Sequence, residues 1–258
     1  MLLVVASAVL GLLIGSFLNV VVHRVPAGQS VARPPSACPG CGTAIRPRDN
    51  VPVLSWLVLR AKCRDCGEPI SARYPLVELG CAALFAVMAV RFGLDPVLPA
   101  YLYLAALGLA LALIDLDVRR LPNVLTLPSY PVAVVLLGGA ALLGSDSGSF
   151  IRALAGGAVA LAVYFLLVLA YPAGMGLGDV KLSGVLGLYL GWLGWGVLVA
   201  GLFLGFFLGA LLGIGLIVTG KGGRKSKVPF GPFMLLGALV AILFGQQLVD
   251  AYVAATGL

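Results

Sequence analysis

Two aspartates occupy positions that an apolar chain would be expected to fill with neutral residues. Asp115 stands at the end of one long apolar run, and Asp179 lies in the motif Gly176-Leu177-Gly178-Asp179-Val180-Lys181 between two others. Because a carboxylate in or near hydrocarbon costs several kcal/mol, its presence there indicates a function. Two carboxylates a few ångström apart cannot both ionise, so they share a proton. One can then act as base on a water while the other hydrogen-bonds a scissile carbonyl, which predicts hydrolysis without an acyl-enzyme.

The residues around the aspartates refine this hypothesis. Gly176 and Gly178 free the backbone and allow close approach of an extended substrate strand. Asp115 and Asp117 are two positions apart at an expected helix end and face roughly opposite ways, so only one of them can readily meet Asp179. A single acid at the end of a span is about equally often just solvated at the interface, which leaves that role open for either residue alone.

Four cysteines form two pairs with the spacing of a metal site. Cys38-Pro39-Gly40-Cys41 and Cys63-Arg64-Asp65-Cys66 are two Cys-x-x-Cys motifs separated by 21 residues. Two such motifs can complete a tetrahedral sulfur shell from Cys38, Cys41, Cys63 and Cys66, which favours zinc over a disulfide or a redox pair. In a reducing cytoplasm disulfides are the poorer explanation. Without metal, a segment with so few large apolar residues would have little to fold around.

Composition excludes most soluble classes of protein. Hydrophobic residues make up 61% and charged residues 10% of the 258 residues, with a mean hydropathy of +1.09, whereas soluble domains carry about 25% charged residues. A bilayer must therefore cover most of the surface. The net charge of +7 is better explained by basic loops than by nucleic acid, since no nucleic-acid-reading module is recognisable. The single histidine, His23, disfavours Ser-His and Cys-His sites and a histidine-ligated catalytic metal.

Apolar runs predict about eight transmembrane helices. The first, 1–22, has no basic residue before it and is followed by His23-Arg24, the reverse of the charge order in a cleaved signal peptide. The others lie near 75–91, 97–114, 124–143, 151–171, 181–195, 196–218 and 229–249. The run 181–195 is the weakest, because it is short and carries four glycines, and it is a candidate for a tilted, broken or partly re-entrant helix.

Basic residues orient these spans. With the N-terminus outside, all of the 17 Lys and Arg residues except Arg91 and Arg152 fall in segments on the cytoplasmic side, as the positive-inside rule requires. One of these segments, 219–228, is expected to face anionic lipid headgroups. Asp115 and Asp179 then both lie at the cytoplasmic face, at similar depth.

Motifs spread over nearly the whole chain carry a resemblance to a known family. They are, in order, Gly15–Arg24, the first Cys motif, Asp49–Trp56, Leu59-Arg60, the second Cys motif, Arg73–Glu78, Ile114–Asp117, Leu121–Asn123, Gly176–Lys181 and Phe230-Gly231-Pro232-Phe233. Together they resemble the type IV prepilin peptidases, bifunctional leader peptidases and N-methyltransferases of bacterial membranes. The glycine–aspartate motif alone is shared with presenilin-like proteases, but all of these motifs in this order are highly specific.

The resemblance implies both residue roles and substrates. The family's catalytic aspartates correspond to Asp115, seven residues before Pro122, and to Asp179, which makes Asp117 a bystander. The expected substrates are prepilins or pseudopilins, cut after a glycine at the cytoplasmic face of the inner membrane. The family also methylates the new N-terminus with S-adenosylmethionine, and since no glycine-rich cofactor fingerprint is present, methylation rests on the resemblance alone.

The predicted architecture is an all-α polytopic membrane protein. It comprises a first transmembrane helix (1–22), a cytoplasmic four-Cys, zinc-ribbon-like segment (23–74) and a transmembrane aspartic peptidase domain (75–258). The alternative function is a transporter or proton relay that uses the two aspartates, with the Cys segment as a regulatory zinc module.

Two further charged residues are expected to support the site. The resemblance places Glu78 in a family motif, which favours a functional role. An ion pair between Glu78 and Arg73 at the membrane interface explains the same residue equally well. Lys181 can hold a backbone carbonyl, neutralise Asp179 or anchor the chain at the interface.

Overall fold

The chain folds almost entirely into α-helices, as predicted. The computed structural model describes residues 1–144, 146–172, 174–219 and 229–256, so most of the basic segment 219–228 lies outside the described residues. Within them the helices are α1 (Leu2–Arg24), α2 (Leu54–Val58), α3 (Arg73–Phe92), α4 (Leu98–Val118), α5 (Asn123–Thr126), α6 (Ser129–Gly144), α7 (Ser147–Ala170), α8 (Leu177–Leu193), α9 (Trp195–Val218) and α10 (Gly231–Thr256). The described part has no β-strand beyond two isolated bridges, Ala37–Ala44 and Lys62–Pro69.

Seven helical segments in the described residues are long and apolar enough to cross a membrane, with α5 and α6 counted as one segment, Asn123–Gly144. The remaining long helix, α8, has 17 residues and is shorter than the roughly 20 that a full span needs. These seven segments and α8 agree with the predicted count of about eight.

The run 181–195 differs from its prediction at the start. Its helix, α8, begins at Leu177, because Gly176 adopts an extended conformation (φ −83°, ψ 153°) and acts as the N-cap residue. Asp179 therefore lies in the first turn of a continuous helix rather than in the segment before it. A hydropathy window misses this turn, since glycine and aspartate lower the average.

The chain divides into two compact units, residues 1–110 and 111–258. In the first unit, α1 and α3 pack through the small residues Gly11 and Gly15. A Cβ atom on either glycine would come within 2.7 Å of an α3 Cα atom, so glycine is required for this approach. Asn19 Nδ2 adds a hydrogen bond to the Tyr74 carbonyl oxygen (3.2 Å).

In the second unit, glycines join α7 to α8. The Cβ that Gly187 lacks would lie 2.5 Å from the Gly156 carbonyl oxygen and 2.7 Å from Ala160 Cβ. Ser183 Oγ donates to the Ala160 carbonyl oxygen across the same contact (3.2 Å). Three of the four glycines that make 181–195 look weak as a span, Gly184, Gly187 and Gly191, are thus the residues that let α7 pack against it and bury it. The three-part domain division stays a prediction.

Candidate active site and metal centre

Asp115 lies near the C-terminal end of α4 and is only 5% exposed. Its Oδ2 atom accepts a hydrogen bond from the backbone N–H of Gly231, the first residue of α10 (3.1 Å). A Cβ on Gly231 would lie 2.8 Å from that same oxygen. Glycine is therefore needed here so that the start of α10 can approach the carboxylate. Asp117, two residues further along α4, is exposed.

Asp179 is the third residue of α8, and its Oδ2 atom accepts the backbone N–H of Gly176 (3.1 Å). The side chain thereby caps its own helix, and the partial positive charge of a helix N-terminus favours an anion at this position. Both aspartates are thus held by a backbone N–H at the beginning of a helix, a pattern that satisfies a carboxylate within an apolar bundle.

Both aspartates lie in the second unit, near the same leucine. Leu121 packs against the backbone next to each acid: a Cβ on Gly178 would lie 3.1 Å from Leu121 Cβ, and one on Gly231 would lie 3.3 Å from Leu121 Cδ2. The two acids therefore border the same leucine, and proton sharing between them stays a prediction of the sequence.

Lys181 links the start of α8 to two neighbouring helices. Its ammonium group donates to Asn123 Oδ1 of α5 (2.9 Å), and its carbonyl oxygen accepts from the Tyr130 hydroxyl of α6 (2.7 Å). The sequence leaves three roles open for Lys181. The structure favours the role in which its ammonium group holds an oxygen acceptor, but that acceptor is the side-chain amide of Asn123 and not a backbone carbonyl.

The four cysteines of the first unit converge as the spacing predicts. The sulfur atoms of Cys38, Cys41, Cys63 and Cys66 all lie within 4.8 Å of one another. The Cys38 and Cys66 sulfurs are 3.7 Å apart, close to the roughly 3.8 Å edge of a tetrahedron with Zn–S bonds of about 2.3 Å. These residues could hold a metal ion.

Each Cys pair sits on the same kind of backbone turn. The Cys38 N–H donates to the Thr43 carbonyl oxygen (3.0 Å) and its carbonyl accepts from Gly42 (2.9 Å). Cys63 repeats this arrangement with Glu68 (2.8 Å) and Gly67 (3.0 Å). Gly42 and Gly67 both have positive φ (70° and 76°), a conformation that glycine adopts without strain. The two motifs are therefore equivalent halves of one site.

The electrostatics of the four thiols favour a cation among them. A hydrogen bond to Thr43 lowers the pKa of Cys41 to about 7. A backbone hydrogen bond from Glu68 lowers the pKa of Cys66, but desolvation and the neighbouring cysteines raise it by more. The resulting pKa is about 12. Four close thiolates repel one another, and a bound dication relieves that repulsion.

Comparison with known proteins decides the family. The family model of the Bacterial Peptidase A24 N-terminal domain matches residues 9–92, and that of the Type IV leader peptidase family matches residues 101–214. The chain belongs to the type IV leader peptidase family. With this membership and its apolar helices it is a multi-pass membrane protein. No solved structure matches it.

Proteins named prepilin leader peptidase/N-methyltransferase are similar to this chain over nearly its full length. The Stutzerimonas stutzeri protein is 37% identical, covering 96% of this chain and 93% of its own. The Aeromonas hydrophila protein is 39% identical, with 93% and 90% covered. The Pseudomonas aeruginosa protein is 35% identical, with 98% and 94% covered. The family resemblance read from the motifs is thereby confirmed.

Glu78 belongs to the Cys-bearing unit of this family member. It is buried in α3, and its Oε2 atom accepts the backbone N–H of Val53 (2.7 Å). Val53 has φ +59° and ψ −49°, an unfavourable conformation for a β-branched residue. The carboxylate therefore ties a strained turn, just before α2, to the second turn of a spanning helix. Nearby, Arg64 holds Asp49 through paired hydrogen bonds of 2.6–3.1 Å and lowers the pKa of that carboxyl.

Two residues next to the aspartates have no role that the sequence alone predicts. In the sequence, Gly231 is part of the Phe-Gly-Pro-Phe motif and Leu121 is part of a Leu-Pro pair. Gly231 is followed by Pro232 and then by an apolar run. This order is a helix-start signal, because proline is favoured in the first turn. That signal predicts the start of α10, but not that its N–H would point at Asp115.

Proposed function

We propose that the chain is a membrane aspartic endopeptidase that removes the leader of type IV prepilins or pseudopilins and methylates the new N-terminal amine. Cleavage is expected after a glycine, at the cytoplasmic face of the bacterial inner membrane. The observation that supports the proposal is that Asp115 and Asp179 are each held by one backbone N–H, near the same leucine of the second unit. The relatives' names supply the substrate class and the second reaction, and the distribution of Lys and Arg supports the cytoplasmic side.

The proposed hydrolysis uses one proton shared between Asp115 and Asp179. The ionised carboxylate takes a proton from a water whose oxygen attacks the scissile carbonyl carbon, while the protonated carboxyl hydrogen-bonds the carbonyl oxygen. When the tetrahedral intermediate collapses, the C–N bond breaks and the proton passes to the leaving nitrogen. The products are a leader with a C-terminal carboxylate and a mature chain with a free N-terminal amine.

The residues around the pair have positional roles in this proposal. Gly176 leaves the start of α8 without a side chain beside Asp179, so an extended substrate backbone can lie against it, and Gly178 supports the same turn by letting Leu121 approach it. Lys181 fixes the same turn through Asn123. Glu78 acts at a different place, by tying the Cys-bearing segment to α3.

Two cofactors accompany the proposal. Zinc, held by Cys38, Cys41, Cys63 and Cys66, would stabilise the segment 23–74, and the sulfur spacing and ligand set fit that ion. S-adenosylmethionine would supply the methyl group, and this assignment rests on the relatives' names.

The test is cleavage of a prepilin-like peptide by the purified full chain in detergent or liposomes. Wild type should cut after the leader glycine, and Asp115→Asn and Asp179→Asn should each abolish cutting at matched folded yield. Asp117→Asn, a change of the same kind at an exposed position two residues away, is the control and should retain activity.

Two outcomes would overturn parts of the proposal. Loss of activity in Asp117→Asn but not in Asp115→Asn would mean that the wrong α4 acid has been chosen while the reaction stands. No cleavage of several prepilin peptides by wild type, together with pH-dependent ion flux in proteoliposomes, would favour the transporter or relay.

A further inference from the structure

The contact between α7 and α8 has a regular register that leads to Asp179. Arg152 Nε donates to the Gly191 carbonyl oxygen (2.9 Å), a Cβ on Gly156 would lie 2.8 Å from the Gly187 carbonyl oxygen, and Ser183 Oγ donates to the Ala160 carbonyl oxygen (3.2 Å). Each step moves four residues forward along α7 and four backward along α8. The two helices are therefore antiparallel, with facing positions repeating about once per turn.

The next pair in this register is Tyr164 and Asp179. Asp179 lies in the first turn of α8, and Tyr164 lies in the penultimate turn of α7. A tyrosine of a spanning helix thus reaches the turn that carries one of the two proposed catalytic acids.

The hydroxyl of Tyr164 is buried and has no hydrogen-bond partner among the described residues. The side chain is 1% exposed. A buried hydroxyl without a partner destabilises the folded state, whereas phenylalanine would fill the same space without that cost. A hydroxyl at such a position is better explained by what its O–H does during the reaction than by stability.

The ring of Tyr164 is held in place by aromatic packing. It lies 5.2 Å from the Phe206 ring of α9, which in turn lies 5.2 Å from the Phe230 ring. Phe230 directly precedes Gly231, whose N–H binds Asp115. The same row of rings therefore fixes the phenol beside Asp179 and the loop that holds Asp115.

We propose that Tyr164 is a positioning residue for Asp179, and that its hydroxyl donates a hydrogen bond to the ionised Asp179 carboxylate in the working site. The proposal rests on the peptidase function proposed above. Asp179 Oδ2 already accepts the Gly176 N–H, so a second donor on the opposite side would fix the plane of the carboxylate. Because the phenol is buried, it acts through Asp179 and does not touch the substrate.

The experiment compares Tyr164→Phe with wild type in peptide cleavage, measuring kcat and KM separately, and in thermal unfolding. Loss of a hydrogen bond to a charged group should lower kcat by about tenfold to a hundredfold. KM should stay within about twofold, since substrate contacts are unchanged. The unfolding temperature should be equal or higher, because the variant removes a buried hydroxyl without a partner. Tyr189→Phe is the matched control: Tyr189 is fully buried in α8, ten residues from Asp179, and its variant should keep wild-type kcat.

Each result decides the matter. A Tyr164→Phe kcat equal to that of wild type overturns the positioning role and leaves the peptidase proposal intact. A lowered kcat that comes with a lowered unfolding temperature, or that Tyr189→Phe reproduces, assigns Tyr164 a packing role and also overturns it. Absence of cleavage by wild type overturns both proposals together.

Discussion

Replacement of Gly231 by alanine should disable the aspartate pair while leaving the helices formed. The new Cβ would lie 2.8 Å from Asp115 Oδ2 and 3.3 Å from Leu121 Cδ2. Ordinary carbon–oxygen contacts are about 3.3–3.6 Å, so the carboxylate would have to move by roughly 0.5 Å or more. The leucine leaves little room on the other side, and the displacement would break the 3.1 Å hydrogen bond between the Gly231 N–H and Asp115.

The size of the effect follows from that hydrogen bond. A bond to a charged acceptor contributes about 1.5–3 kcal/mol, and each 1.36 kcal/mol corresponds to about tenfold in rate. We therefore expect kcat/KM for a prepilin-like peptide to fall by roughly tenfold to 150-fold in Gly231→Ala. The assay is steady-state cleavage by purified protein, with folded yield matched by size-exclusion chromatography and thermal unfolding.

Gly139→Ala is the matched control for this prediction. Gly139 lies in α6 of the same unit, and a Cβ there would meet nothing within 4 Å. Alanine is favoured over glycine inside a helix by up to about 1 kcal/mol, so this variant should be as active and at least as stable as wild type. Wild-type turnover by Gly231→Ala would refute the reasoning, because Asp115 would then not depend on the close approach of α10. Equal losses in both variants would refute it too, since they would reflect general sensitivity to added methyl groups.

Three other changes test separate parts of the structure. Cys41→Ser should lower the bound zinc measured by elemental analysis and make the segment 23–74 sensitive to protease, whereas Cys81→Ser, in the core of α3, should leave the zinc content unchanged. Glu78→Gln should lower the free energy of unfolding by about 1 kcal/mol, because a neutral amide accepts the Val53 N–H more weakly than a carboxylate does; an unchanged unfolding temperature would contradict the tether. Gly187→Leu should prevent α7 from packing on α8 and abolish both folding and activity, and recovery of an active, stable variant would disprove the close helix contact.

The metal centre could be predicted from the sequence because its geometry is local. Each Cys-x-x-Cys motif places two sulfurs on one turn, and Gly42 and Gly67 supply the positive φ that such a turn needs. Only the meeting of the two turns is a tertiary event. The spacing therefore predicts both the four ligands and their convergence.

The surroundings of the aspartates could be predicted only in part. Asp115 and Asp179 stand out by type in apolar runs, yet the group that holds Asp115 comes from Gly231, 116 residues further along. No periodicity encodes that approach, since it depends on how α10 packs in the second unit. For Lys181 the sequence left three roles open, and the contact with Asn123 required the fold to bring α5 beside α8. The start of α8 was missed for a different reason: the capping residues Gly176 and Asp179 are polar or small and fall outside an apolar window.

Both aspartates are accommodated in the same way, and this has a consequence for how the site can change. Each carboxylate accepts a backbone N–H at the beginning of a helix, Gly231 for Asp115 and Gly176 for Asp179, where the aligned peptide dipoles favour negative charge. A backbone donor cannot rotate away as a side chain can, so the orientation of each acid is fixed by the helix that carries its donor.

The two donors belong to different helices. Because the Gly176 donor belongs to the turn of Asp179 itself, that carboxylate moves with α8 as one body. The donor to Asp115 belongs to α10, so a shift of α10 relative to α4 would release Asp115 alone. Any conformational control of the proposed hydrolysis should therefore act through the α4–α10 contact rather than through α8.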